Sequence, residues 1–146
     1  MAQVLVYTND EGGVSIVTPV GPISDTLKAL PVGISTYSIL DDSNLPSDRN
    51  FRNAWKATGL GNTTVSVGED ITSARELHKT NIRFARTPKL AALDIEFQKA
   101  QETSASTAEI VDQKRLLRDA PAASGIATAA NTTELKAQWD TSILGT

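Results

Sequence analysis

The chain offers few side chains able to do chemistry. His78 is the only histidine. It stands in ELHKT with no carboxylate spaced to orient its ring as a general base, so it reads as an exposed or half-buried helix residue rather than part of a triad. Cysteine is absent, which excludes disulfides and thiolate metal sites. Asp94 and Glu96 lie two apart on a helix and point to different faces. Asp41 and Asp42 stand in turn sequence, where such residues serve the backbone. Gly59-x-Gly61 lacks the third glycine and the helix start of a dinucleotide loop. No catalytic, cofactor-binding or metal-binding residue is assigned, no cofactor or small-molecule substrate is expected, and the chain reads as non-enzymatic.

The better pattern is cationic. Arg75, Lys79, Arg83 and Arg86 recur at spacings of four, four and three, which builds a ridge along one helix face, and Lys89 extends it. Glu76 is the only acid between residues 71 and 89. Such a ridge suits docking onto an acidic protein surface; the plain alternative is a solvated helix face. Nucleic acid is disfavoured, because Phe84 is the only aromatic beside the ridge and base stacking needs more. The chain has two Trp, two Tyr and three Phe. Two of these, Phe51 and Trp55, stand four apart in LPSDRNFRNAW and share a face on either a helix or a strand. They either close a small core or anchor a protein contact, where buried aromatics dominate. With Trp139 and the four ridge cations, they are the protein-interface candidates.

The elements that would position these residues divide at about residue 70. Val4–Tyr7 and Val14–Val17 are β-prone runs joined by Asn9-Asp10-Glu11-Gly12-Gly13, which predicts a hairpin. Ser24-Asp25-Thr26 starts a short helix that Pro31 and Gly33 stop. Ser35–Leu40 alternates as a half-buried strand. Residues 41–49 are turn chemistry. Lys56–Asn62 reads as a loop, and Thr64–Val67 as either a short strand or a linker. From Asp70 the period becomes helical. Either Thr87 caps a new helix at Pro88 or one long helix is kinked there; unbroken to residue 103 it would span about 45–50 Å. Leu90, Leu93, Phe97 and Ala100 form a seam. Thr107 caps a following helix with Ile110, Lys114 and Leu117 on one stripe, and the short break makes the two helices antiparallel. Residues 120–131 are small and uncharged, an extended linker, before a last short helix with Leu135 and Trp139. The predicted fold is α+β: a small β-β-α-β unit over 1–69, a helical hairpin over 70–119, and an extended C-terminal tail over 120–146.

The totals agree with a modest domain. There are 146 residues, 40% hydrophobic and 5% aromatic, with net charge −3. The core must be lean and aliphatic. Residues 1–70 hold eight acidic and four basic groups, and residues 71–146 hold nine and ten. That balance gives no general attraction to nucleic acid or membrane. No apolar stretch reaches the roughly 18 residues of a membrane span, and the N-terminus lacks the character of a secretory signal. A protein made in the cytoplasm is expected.

PVGISTYSIL, LPSDRNFRNAW, ITSARELHKTNIRFARTPKLAALDIEFQKA and KRLLRD together resemble a group of small proteins encoded by tailed bacteriophages and prophages among tail and tail-fibre genes. The likeness covers most of residues 2–119. Its distinguishing segments are FRNAW, SARELHK, TPKLAALDIEFQKA and LLRD; the last also resembles the end of tail-assembly chaperones. The group has no settled activity, so no site residue is carried over. The resemblance implies a virion structural or adaptor protein at the tail, baseplate or fibre, synthesised in the bacterial host cytoplasm and partnered by other virion proteins in a multi-copy assembly. A tail-fibre assembly chaperone and a capsid decoration protein are the alternatives it leaves.

Overall fold

The computed structural model describes residues 2–146. The fold is mixed α+β, in two compact units, residues 2–70 and 71–146.

In the first unit, β1 (Gln3–Thr8) pairs antiparallel with β2 (Val14–Val17) and with β3 (Ser38–Asp41), giving the order β2-β1-β3. Val4, Leu5 and Val6 are all buried, so the central strand has no solvent face over that run. The β1–β2 turn is held by Asn9, whose Oδ1 accepts the Gly13 and Glu11 backbone N–H groups. α1 (Ile23–Lys28) starts one residue ahead of the expected cap. Pro22 occupies its N-cap, no side chain caps it, and none of its residues is fully buried.

Of a second sheet, the sequence offered only a short strand over Thr64–Val67 as one alternative; its partner strand was not legible. β4 (Trp55–Thr58) pairs antiparallel with β5 (Ser66–Glu69), so the expected loop from Lys56 begins as a strand. Gly59, at the end of β4, has φ +72°, a left-handed value that glycine takes without penalty. The Gly61 N–H donates to the buried Ser38 hydroxyl at 2.8 Å, tying this hairpin to β3. Trp55 is fully buried among Val4, Val6, Val14, Leu40 and Val67.

The second unit is built on α2 (Ile71–Glu102), one continuous helix with Pro88 inside it. Thr87 therefore does not cap a new helix; its hydroxyl bonds back to the Arg83 carbonyl at 2.8 Å, a common outlet for threonine in mid-helix. α3 (Ala108–Asp119) has Thr107 at its N-cap without a side-chain capping bond. Asp94 pairs with Lys114, and Arg86 bonds the Leu117 carbonyl, so contacts run in opposite chain sense and the two helices are antiparallel.

The expected extended linker over 120–131 is instead folded. A 3₁₀ turn over Ala120–Ala122 leads to α4 (Ser124–Thr128), α5 (Thr132–Lys136) and α6 (Thr141–Leu144). α2 packs against this turn, α5 and α6. Ile126, Ala129, Leu135 and Leu144 are buried, with Ala74, His78 and Ile82 of α2 and Leu117 of α3. A Cβ on Gly125 would meet the end of the Gln138 side chain, which would have to move to make room.

Candidate protein-interaction surface

The predicted cationic ridge does not act as one surface. Arg75 donates Nη2 to the Ala129 carbonyl at 2.8 Å, which ties the C-terminal arm to α2. Arg86 donates Nη1 to the Leu117 and Arg118 carbonyls at 3.3 and 2.7 Å. These lie in the last turn of α3, where carbonyls have no intrahelical partner and a cation opposes the negative end of the helix dipole. Two of the four ridge cations are thus structural.

Lys79 and Arg83 remain at the surface. Lys79 pairs with Glu76 at 2.9 Å, and Arg83 is exposed. The hydrogen bond and charge of Lys79 hold the Glu76 carboxyl below its ordinary range, and Arg83 adds to the effect. With Arg86 and Arg118 they border a cleft of about 390 Å³ whose floor includes Pro121, Ala122 and Ala127. Arg118 was missed because it lies on α3, outside the ridge's spacing; only the antiparallel packing brings it there. The cleft gathers four cations and no lining acid, so it is suited to carboxylate-bearing protein surfaces.

The aromatic candidates are not surface anchors. Phe51 is buried at 2% exposure, ahead of a 3₁₀ turn over Arg52–Ala54. Trp55 lies in the core of the first unit, where burying an indole removes a large apolar area from water. Arg52 covers its ring, with the guanidinium 4.8 Å from the centroid, and donates to the Val14 carbonyl at 3.2 Å. Trp139 is half-buried, and its Nε1 donates to the Gly145 carbonyl at 2.7 Å. His78, expected at or near the surface, is buried at 4% exposure.

Other large apolar side chains are exposed instead. On the helical hairpin these are Phe84 at 83%, Ile95 at 54%, Val111 and Leu116. No residue from Arg83 to Leu116 is buried. The seam residues Leu90, Leu93, Phe97 and Ala100 are only half-buried, and the Lys114 ammonium sits 5.2 Å from the Phe97 ring centre. A sequence pattern marks such residues as apolar but cannot say whether a second layer covers them.

Among the described residues, no group of three or more His, Cys, Asp or Glu side chains is placed to hold a metal ion, and no helix is long and apolar enough to cross a membrane. No protein-family model, no curated protein and no solved structure matches this chain.

Proposed function

We propose that this chain is a non-enzymatic structural or adaptor protein of a tailed-bacteriophage particle, placed at the tail, baseplate or fibre. One observation carries the reading: the helical hairpin from Arg83 to Leu116 has no buried residue, yet exposes Phe84, Ile95, Val111 and Leu116. Two helices with a half-wet seam add little to the stability of a lone chain. Neighbouring subunits that bind the folded form would stabilise it by mass action. The resemblance of FRNAW, SARELHK, TPKLAALDIEFQKA and LLRD to phage tail-region proteins names the kind of neighbour. Within the second unit, the packed C-terminal arm and the first turns of α2 supply the base from which the hairpin extends.

Mass spectrometry of purified particles tests this. Stoichiometric presence of the chain is expected. Its presence in infected cells but absence from finished particles would replace the adaptor with an assembly chaperone, and recovery on tail-free capsids would move it to the capsid.

A further inference from the structure

Helix α2 carries apolar seams on opposite sides. One, through Ile82, Leu90, Leu93, Phe97 and Ala100, is buried or half-buried on the side that packs against α3. At 3.6 residues per turn, the opposite side carries Phe84, Pro88, Ala91 and Ile95, all exposed. Their spacings of four, three and four are those of alternating core positions in a coiled coil. A helix face meant for water carries charged or polar side chains; this stripe has none from Phe84 to Ile95, and it turns polar at Asn81 before that span and at Gln98 and Glu102 after it.

We propose that this stripe is a self-association surface, on which α2 of a second copy packs in parallel register, with Ala91 facing Ala91 near the middle. Two features favour a second copy. A stripe with heptad spacing matches its own image when two helices lie parallel and in register. Charge also fits: Asp94 and Lys99 flank the stripe on its two sides, five residues apart, the offset at which opposite charges meet across a parallel pair. Lys99 can exchange Glu96, since that pair is exposed on both sides; Asp94, itself 59% exposed, meets the largely buried Lys114 through Oδ1 and has a second carboxylate oxygen to offer Lys99 of the second copy. The small Ala91 side chain allows close approach of the two helices.

The proposal rests on reading the hairpin as an assembly surface, but not on which particle it serves. A chain that pairs in solution and is missing from particles keeps this inference and loses the phage reading. A chain found in particles that never pairs does the reverse.

Because the chain has no cysteine, Ala91→Cys is a unique reporter in the full-length protein. Mild oxidation is expected to give a disulfide-linked dimer, since facing core positions meet the short distance a disulfide needs. Glu109→Cys, on α3, is expected not to cross-link. Sedimentation of the unmodified chain should show concentration-dependent dimers, and Ile95→Glu should raise the dissociation constant at least about tenfold, with circular dichroism verifying that the variant is folded. A monomer at all concentrations up to about 100 µM overturns the proposal. So does a dimer that survives Ile95→Glu and that Ala91→Cys fails to trap. Cross-linking between Phe84→Cys and Ile95→Cys chains instead of at Ala91→Cys would mean antiparallel pairing and overturns it too.

Discussion

His78 Nε2 lies 3.1 Å from the Gln138 carbonyl oxygen, and its ring meets Trp139 edge-on with centres 6.0 Å apart. A polar side chain at 4% exposure is tolerated only with such a partner. The contact holds the C-terminal arm against the first turns of α2, so the lone histidine is a structural fastener.

His78→Ala is expected to cost about 2–4 kcal/mol, from the cavity and from the carbonyl left without its donor. Urea unfolding of the full chain measures this. Limited proteolysis should cut the region 120–146 sooner in the variant, because the arm loses its anchor. His78→Phe restores ring volume but not the hydrogen bond, so it should recover only part of the loss.

Arg86→Ala is expected to cost about 1–2 kcal/mol, since the last carbonyls of α3 lose a charged donor. Arg86→Lys keeps the charge but replaces the rigid planar guanidinium, whose Nη1 reaches both carbonyls, with an ammonium on a flexible stem. Thermal unfolding should therefore place the lysine variant between alanine and the parent.

The double reversal Lys79→Glu with Arg83→Glu is expected to leave circular dichroism unchanged while weakening capture of particle proteins in pull-down. Both side chains border the basic cleft without tying elements together. Arg86→Glu, on the same ridge, should lower the melting temperature instead. Equal capture by parent and double variant would remove the cleft from the binding surface.

Trp55 and Trp139 stand one in each unit, which gives each unit its own fluorophore. In Trp139→Phe the remaining indole is fully buried, so its emission should be blue-shifted and resistant to acrylamide. In Trp55→Phe the half-buried Trp139 should be quenched more readily. Trp55→Ala is expected to destabilise the first unit by about 3–5 kcal/mol, consistent with a core role and not a docking role.

Acid should release the Glu76–Lys79 pair. Because the folded-state value of Glu76 is lowered, its contribution is present above the ordinary glutamate range and is lost as pH falls through the lowered folded value. A side-chain carboxyl titration by NMR should place Glu76 below free glutamate, and Lys79→Met should move it back up.

The amino-acid sequence by itself determined the local elements. The Val4–Tyr7 and Val14–Val17 runs with Asn9-to-Gly13 between them carry the first hairpin, and the helical period from Ile71 carries α2; both depend on contacts close in sequence. Pairing across space decided the rest. β4 is four residues whose strand character comes only from β5. Pro88 sits within a helix that continues on both sides, and the small-residue stretch after Ala120 is ordered only because Ile126, Ala129 and Leu135 find cover in the second unit. The ridge shows the difference most directly. Its spacing was plain in one dimension, but which cations are spent on carbonyls and which face water depends on where α3 and the C-terminal arm end. Those positions are set by packing between residues far apart in sequence, which no local pattern records.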